Sequence, residues 1–300
     1  MAYTAINDPE AYFQVKIYSG TGSSQAYTLD GDTDMQPDLV WIKERSGTQN
    51  NIVTDAVRGT NKNLYSDGPD AEATTTDNIT AFGSDGFTVA GTGNETNASG
   101  KTYVAWNWKA GGSASTDDAG TIDSSTSTST TAGFSIATWT STAAAHTIGH
   151  SLGVVPTMII MKGRHESNSW QVYHHKNTAA PETDYLDLST TDATADYTVW
   201  NDTAPTSSVM SLGTWSGLDD GGTMVAYIFA PKQGFSSMGS YTGNGNANGP
   251  FIYTGFRPAW FMTKRTDAVG DWRIRDVKRE PGQPLDAPLS ANSSAAENDG

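Results

Sequence analysis

Three aspartates at alternate positions, Asp30, Asp32 and Asp34, have the spacing of the carboxylate ligands in the first half of a calcium-binding loop. A loop of the EF-hand type also needs glycine at its sixth position and glutamate at its twelfth. This sequence has Met35 and Trp41 at those positions. The aspartates are therefore candidates only for another kind of calcium site, and the alternative is a solvated turn that leads into the next strand.

Histidine is the other residue type that could bind a metal or transfer a proton. His146 and His150 are four residues apart, but Gly149 between them makes a helix that presents both rings to one ion improbable. Adjacent His174 and His175 should point to opposite faces of a strand, one packed and one exposed, which does not suit chelation. The five histidines are His146, His150, His165, His174 and His175.

The sequence contains no pattern typical of a catalytic centre. The zinc-protease, nucleophile-elbow and phosphate-loop motifs are missing, and there is no cysteine to act as a nucleophile or metal ligand. Most aspartates lie in turns rich in Gly, Ser and Thr, where their side chains cap or solvate the backbone. We therefore predict no catalytic residue and no cofactor. A glycosidase-type pair of carboxylates is the alternative that remains open.

Aromatic residues in predicted strands form a further candidate set. Trp106 and Trp108 should share one face of their strand, with Tyr103 and Ala105 on the other. Such side chains form a core when the face is covered and a platform for stacking sugars when it is open to water. The candidates for glycan stacking or core packing are Trp41, Trp106, Trp108, Trp170 and Trp272.

Basic residues are concentrated toward the end of the chain. Residues 235–300 contain seven Lys and Arg against seven acids, so residues 1–234 carry the whole net charge of −15. A basic face could contact an acidic face of a neighbouring copy and stack subunits head to tail; a scattered, solvated face is the alternative. The candidates for this inter-subunit contact are Arg265, Arg273, Arg275, Lys278 and Arg279.

Composition favours an all-β protein. The 31 glycines and 12 prolines punctuate the chain at short intervals, and residues that favour strands and turns outnumber helix formers. The net charge of −15 argues against binding to duplex nucleic acid, which needs a basic face. No apolar run is long enough to insert into a membrane, and the first residues do not resemble a signal peptide.

A threefold internal repeat is the most informative pattern. Pro37–Lys43, Pro156–Lys162 and Pro258–Lys264 each consist of a proline, five mostly apolar residues and a lysine. The run predicts a strand buried on both faces, with proline at its start and the lysine ammonium reaching water at its far end. The three prolines should therefore mark equivalent strand starts. Asn51, Trp170 and Trp272 follow them at the same distance of 14 residues.

A closing strand is visible in the first two copies. Thr102–Trp108 and Thr223–Phe229 share the pattern Thr-x-Val-Ala-aromatic-x-aromatic, and they begin 59 and 61 residues after the repeat lysine. The same spacing would put the third such strand near residue 324. Either the third copy is truncated in this chain, which we favour, or a neighbouring chain supplies its last strand.

The repeats predict tandem antiparallel β-sandwich modules, one for each copy. The module boundaries are expected at residues 1–110, 133–233 and 234–300, the last module being incomplete. The Ser/Thr/Gly-rich segment 111–132 is a linker or, in part, an edge strand. Residues from 280 onward, rich in Pro, Ala and Ser, suggest a mobile tail.

Six elements of the sequence form a recognisable combination: Asn7–Phe13, Pro37–Lys43, Asp55–Gly59, Asp85–Phe87, Tyr103–Trp106 and Gly239–Gly245. This combination resembles a family of phage tail-fibre-like proteins that is common in viruses of marine bacteria. The resemblance covers nearly the whole chain and implies lectin-like (concanavalin-like) sandwich modules, a virion location and a completed third copy, from which this chain departs. It carries no established catalytic residues.

The resemblance implies a non-enzymatic virion appendage protein, a tail fibre or similar, that builds the fibre, adheres to host surface glycans, or does both. Its expected partners are further copies of itself, as a homotrimer or another homo-oligomer, other virion proteins and a host glycan. It would be made in the host cytoplasm without a signal peptide. The alternatives are a capsid decoration or head-fibre protein, a sandwich-fold glycoside hydrolase or polysaccharide depolymerase, and a cellular adhesin.

Overall fold

The computed structural model describes residues 4–91, 93–215, 221–282 and 285–297. Within these ranges the chain is mostly β, with antiparallel sheets and very little helix, which confirms the predicted all-β class. None of its described helices is long and apolar enough to cross a bilayer. The helical elements are two 3₁₀ turns, Pro9–Ala11 and Thr198–Trp200, and one α-helical turn, α1, Asn94–Asn97.

Repeat 1 consists of nine strands in two sheets. The large sheet has the order β1-β9-β3-β4-β5-β6, and a small sheet has the order β2-β8-β7. The strands are β1 (Phe13–Ser19), β2 (Gln25–Tyr27), β3 (Leu39–Glu44), β4 (Ile52–Asp55), β5 (Lys62–Tyr65), β6 (Ala73–Thr74), β7 (Ile79–Gly83), β8 (Gly86–Val89) and β9 (Thr102–Trp108).

Among the described residues, repeat 2 has the same plan with two extra strands at one edge of its large sheet and one strand fewer in its small sheet. Its large sheet has the order β10-β11-β12-β19-β14-β15-β16-β17, and β13 pairs with β18 in a small sheet. The strands are β10 (Ser115–Asp117), β11 (Ser124–Ser129), β12 (Phe134–Thr140), β13 (His146–Gly149), β14 (Met158–Gly163), β15 (Gln171–His174), β16 (Asp184–Asp187), β17 (Ala195–Asp196), β18 (Val209–Leu212) and β19 (Thr223–Phe229).

Repeat 3 has only the middle part of this plan. A single sheet has the order β20-β21-β22. The first strand, β20, pairs with β21 alone, so one of its edges has no neighbouring strand among the described residues. The strands are β20 (Trp260–Thr263), β21 (Arg273–Asp276) and β22 (Leu289–Ser290).

The strand registers confirm that Pro37, Pro156 and Pro258 mark equivalent strand starts. In each repeat the residue two places after the proline pairs with the residue eighteen places after it. Since all three copies keep the same register, the repeat is a structural one as well as a sequence one. The pairs are Leu39 with Asp55, Met158 with His174, and Trp260 with Asp276.

Repeats 1 and 2 each have two layers. In repeat 1, Val40 and Ile42 on one face of the large sheet pack with Phe87 and Val89 of the small sheet. In repeat 2 an equivalent cluster lies between the large sheet and the β13-β18 pair. Strands β3 and β14 are buried nearly throughout, as predicted, because the large sheet is covered on both faces. β20 is only half-buried, since it lacks a strand neighbour on one side.

The other faces of the two large sheets pack on each other and on the sheet of repeat 3. Together they form a single hydrophobic cluster, here called the shared core. Its size exceeds that of either outer layer because all three repeats contribute to it. The division of the chain into separate modules at residues 110, 132 and 233 stays a prediction. The shared core includes Leu39, Trp41, Val53 and Trp106 of repeat 1, Ile160, Trp170, Val172 and Tyr227 of repeat 2, and Trp272, Ile274 and Leu289 of repeat 3.

Two of the three repeat lysines do not reach water, contrary to the sequence prediction, whereas the third, Lys264, is only half-buried. Lys43 and Lys162 are fully buried. The ammonium of Lys43 donates to the carbonyl oxygens of Gly47, Gln49 and Ser294 at 2.8–3.2 Å, so loop carbonyls replace the water that was expected. Burial lowers the pKa of both lysines to about 8.

Two segments of low complexity are part of the fold. In the Ser/Thr/Gly-rich segment 111–132, β11 pairs with β12 and β10 with β11, which places β10 at the edge of the large sheet. The expectation of a mobile tail from residue 280 is wrong for the described residues. There β22 pairs with β21, and Leu289 and Ala291 enter the shared core.

Candidate functional site

A ring of hydrogen bonds joins the three repeats to one another. It uses the residues fourteen positions after each proline. Each donates a side-chain N–H to the backbone carbonyl of the same β-strand position in a neighbouring repeat. Repeat 2 bonds to repeat 1, repeat 3 to repeat 2, and repeat 1 to repeat 3, so the contacts form a closed ring. The bonds are Trp170 Nε1 to Tyr65 O at 2.8 Å, Trp272 Nε1 to Asp187 O at 2.8 Å, and Asn51 Nδ2 to Ser290 O at 3.3 Å.

A buried ionic network lies between repeats 1 and 2. Arg58 is fully buried and bonds to Asp55 and, at 3.0 Å, to Glu72. Arg164 of repeat 2 donates to Glu72 at 2.8 Å, and the Tyr227 hydroxyl donates to Asp55 at 2.8 Å. Burial alone would raise the pKa of Glu72, but the two arginines outweigh it and hold that pKa below its usual value.

The same network recurs between repeats 1 and 3. Arg279 is fully buried and bonds to Asp276 at 2.6 Å and to Glu297. Arg45 of repeat 1 donates to Glu297 at 2.7 Å, and the Trp106 indole donates to Asp276 at 3.0 Å. Most ionisable side chains in these two networks are therefore engaged in holding repeats together, with an aromatic residue of β9 or β19 completing each one.

The contact between repeats 2 and 3 is the odd one, because its equivalent positions are His174 and Asn177 and carry no Asp–Arg pair. The amide oxygen of Asn177 accepts from Thr194 at 2.6 Å, but its buried amide nitrogen has no hydrogen-bond partner in the described part of the chain. Among the described residues, no strand equivalent to β9 or β19 brings an aromatic side chain here. Burial, with a smaller effect of His175, lowers the pKa of His174 to about 4.

A large cleft of about 1940 Å³ opens where such a strand would lie. Its apolar wall is aromatic: Phe13 and Trp108 have ring centroids 4.9 Å apart, and the Trp108 and Trp260 centroids are 5.5 Å apart. Phe229 packs against Trp108 from repeat 2, and Met262 of β20 lines the same wall. The cleft thus draws on all three repeats and ends on the shared core.

Four of the five predicted tryptophans are core residues. Trp41, Trp106, Trp170 and Trp272 are buried in the shared core, so their faces are not available for stacking on a sugar. Trp108 is half-buried and lines the cleft. It lies on the same face as Trp106, as the strand alternation predicted.

Exposed aromatic side chains lie instead in a segment that was not among the candidate sites, although its first part, Gly239–Gly245, was among the elements that carry the family resemblance. Residues 239–255, here called the aromatic segment, contain no strand or helix and are rich in Gly and Asn. Phe251 is 89% exposed, Tyr253 79% and Tyr241 56%, with Ile252 beside them. The available signal was the alternation of Gly and Asn around these aromatics, a composition typical of binding loops.

The three candidate calcium ligands are not grouped as a metal site. Asp30 forms ion pairs with Lys16 and, at 3.4 Å, with Lys278. Across the part of the chain that the structure describes, no three His, Asp or Glu side chains are placed to hold one metal ion. Asp32 and Asp34 are exposed, which matches the solvated-turn alternative.

The predicted inter-subunit basic residues have different surroundings. Arg279 is buried in the network with Asp276 and cannot reach a neighbouring molecule, so this part of the prediction is wrong. Its partners lie within the chain because the third repeat closes on the first. Lys278 reaches Asp30 of repeat 1, a contact between copies inside one chain.

The remaining three arginines are at or near the surface. Arg265 pairs with Asp267, and both are well exposed. Arg273 pairs with Asp271 at 2.7 Å. Arg275 donates to a backbone carbonyl and lies 6.0 Å from the centre of the Phe261 ring. Their role as contacts to another subunit stays a prediction.

The histidines are engaged with backbone groups. His146 and His150 are buried, and their rings approach the carbonyl oxygens of Ala144 at 2.9 Å and Thr206 at 3.2 Å. Burial lowers the pKa of His150. His175 contacts the Met238 carbonyl at 3.1 Å, and His165 lies near Glu166. His174 and His175 are both half-buried, which differs from the predicted packed and exposed pair.

No curated protein and no solved structure matches this chain. A family match covers residues 8–300 and so includes all three repeats, the cleft and the aromatic segment. That family is described as a domain of unknown function (DUF7483), and the chain belongs to it.

Proposed function

We propose that this protein is a non-enzymatic component of a bacteriophage appendage, a tail fibre or similar structure, and that it adheres to glycans on the host surface. The exposed aromatic segment carries the adhesive part of this proposal. Phe251, Ile252 and Tyr253 are consecutive and exposed, and apolar side chains exposed side by side, unlike scattered ones, mark an interaction surface. The resemblance to tail-fibre-like proteins supports the virion part.

The segment has the chemistry that sugar binding uses. An aromatic face stacks on the C–H side of a sugar ring, while neighbouring polar groups bond to its hydroxyls. Asn244, Asn246 and Asn248 alternate with small residues between Tyr241 and Phe251. Their amides can donate and accept at once, which suits hydroxyl groups that do the same.

The rest of the molecule supports a mechanical role. Two buried ionic networks and a shared core tie the three repeats together, so the aromatic segment is held on a firm support. We further propose that the two-layered repeats are lectin-like sandwich modules and that the protein forms a homotrimer or another homo-oligomer, as fibres commonly do. Its location is then the virion.

Adhesion is tested with the double variant Phe251→Ala/Tyr253→Ala. Labelled protein is titrated onto host cells and onto the polysaccharide extracted from them. Loss of two exposed stacking contacts, each contributing about 1 kcal/mol, should weaken binding by roughly tenfold or more. Tyr197→Ala is the matched control, since Tyr197 is a half-exposed aromatic outside the segment, and it should bind as the parent does.

Three results would contradict the proposal. Equal binding by the parent and the double variant would remove the aromatic segment from the adhesive surface. Release of reducing sugar from the polysaccharide would favour a depolymerase instead. Gold-labelled antibody on intact phage particles locates the protein, and labelling of heads rather than tails would favour a capsid decoration or head-fibre protein.

A further inference from the structure

The unpaired edge of β20 lies beside the cleft and is the point where repeat 3 departs from the other two. In repeat 1, β9 lies between β1 and β3; in repeat 2, β19 lies between β12 and β14. Both strands lie in the middle of their sheets. Each directs an aromatic side chain inward, to contact a neighbouring repeat. Next to β20 the corresponding place is the cleft.

The conformation of residues 235–241 also indicates that a strand is missing beside β20. This segment corresponds to the first strand of each repeat, yet it contains no strand, although residues 221–282 are described throughout. In repeats 1 and 2 the first strand pairs with β9 or β19 and never directly with the proline-started strand; in repeat 2 it also pairs with β11 on its other side. Without such a partner, residues 235–241 have no ladder to join.

We propose that the cleft is an acceptor site for one further β-strand, an apolar peptide segment with the side-chain pattern of β9 and β19. It would lie antiparallel to β20, in the way that an added strand completes an open sheet edge. The conserved register specifies the fit. Trp41 pairs with Trp106 and Ile160 with Tyr227, and the equivalent residue of β20 is Met262.

The inward aromatic of the added strand would therefore face Met262 and point toward His174 and Asn177. This position is prepared for a hydrogen bond. Arg58, the counterpart of Asn177 in repeat 1, donates to the Tyr227 hydroxyl at 3.0 Å. The buried amide nitrogen of Asn177 has no partner among the described residues, so a tyrosine hydroxyl on the added strand would give it an acceptor.

The second aromatic of the pattern would pair with Trp260. Its counterparts are Trp108, opposite Leu39, and Phe229, opposite Met158. There it would join the aromatic wall already formed by Phe13, Trp108 and Trp260. The site therefore suits an extended peptide with aromatic residues two positions apart. Met262 and Trp260 would face its two aromatic side chains, and β20 would pair with its backbone.

The probe is a synthetic peptide with the sequence of residues 222–230, which contains β19, titrated into the whole protein and followed by calorimetry. We expect saturable binding of one peptide for each chain. A peptide of the same composition in scrambled order should bind at least tenfold more weakly. Replacing its tyrosine by phenylalanine should weaken binding severalfold, because Asn177 would lose its acceptor. Amide hydrogen exchange should slow at residues 260–264 and 235–241 in the complex.

A variant of the protein tests the same site from the other side. Met262→Asp puts a carboxylate opposite the inward aromatic and should weaken binding at least tenfold. Val269→Asp, at a well-exposed position off the strand, should leave binding unchanged. A cooperative thermal unfolding transition of Met262→Asp would show that this variant folds. The comparisons among the peptides use the parent protein and do not depend on this variant.

Three outcomes would overturn the proposal: no binding at millimolar peptide, equal binding of the scrambled peptide, or self-association of the protein that Met262→Asp abolishes and the peptide does not compete with. The last outcome would mean that a second copy covers the edge. None of these measurements involves host cells or glycans, so failure here is distinct from failure of the proposed adhesive function.

Discussion

Trp170 and Tyr65 are joined by a hydrogen bond of 2.8 Å from the indole N–H to the backbone carbonyl oxygen, and this bond links repeat 2 to repeat 1. Its equivalent, from Trp272 to Asp187, links repeat 3 to repeat 2 at the same distance. A repeat protein that closes on itself needs such contacts to be directional, since apolar packing alone does not set the angle between sheets. The two tryptophans provide both the direction and the apolar contact.

Trp170→Phe should destabilise the protein by about 1–3 kcal/mol, because the ring still packs but the Tyr65 carbonyl loses its donor. Urea unfolding followed by far-UV circular dichroism measures the change. Trp139→Phe is the matched control. Trp139 is also a buried tryptophan of repeat 2, but its indole nitrogen has no hydrogen-bond partner. If the two variants lose the same free energy, the Trp170 bond contributes nothing beyond packing.

The ionic network between repeats 1 and 2 leads to a second prediction. Glu72→Gln should cost about 3 kcal/mol at pH 7, because Arg58 and Arg164 would lose a charged acceptor in a buried position. The Glu72 pKa is lowered in the fold, so its contribution is present above the ordinary pKa of glutamate and disappears as the pH falls through the lowered value. The difference between parent and variant should therefore shrink in acid.

The control for Glu72 is an exposed ion pair. Asp267→Asn breaks the contact with Arg265, in which both side chains are largely open to water, and it should leave the unfolding free energy nearly unchanged. Equal effects of the two substitutions, or a Glu72→Gln effect that does not depend on pH, would contradict the assignment of Glu72 as a link between repeats.

The sequence was sufficient to predict the strands that the repeat positions define. The proline-started runs predicted β3, β14 and β20, and the closing pattern predicted β9 and β19, because each run is local and its periodicity is read directly. The equal spacing of Asn51, Trp170 and Trp272 was also visible. Their common role in bonding to the next repeat was not, since it depends on which repeat lies beside which.

The arrangement of the repeats around a shared core is a long-range property that spacing does not encode. Lys43 shows the difficulty: a lysine at the end of an apolar run normally reaches water, and only the loop carbonyls of two repeats, brought together by the fold, make its burial tolerable. Arg279 is similar. Its sequence context suggested a surface cation, but Asp276 three residues earlier and the distant Glu297 enclose it.

The single histidine of β15 that lines the cleft leads to the last prediction. Burial lowers the pKa of His174 to about 4, against an ordinary value near 6.5, so between these values the unfolded chain binds more protons than the folded one. The stability that depends on neutral His174 is therefore complete above pH 6.5 and is lost as the pH falls toward 4.

His174→Gln removes this dependence, and between pH 7 and pH 4.5 it should lose about 2 kcal/mol less unfolding free energy than the parent. Urea titrations at the two pH values measure the difference, and the same pair compared at pH 8, where both side chains are neutral, gives the change due to packing alone. Parallel losses in parent and variant would show that His174 is protonated in the folded protein as easily as in the unfolded chain, and hence that the cleft admits water to its ring.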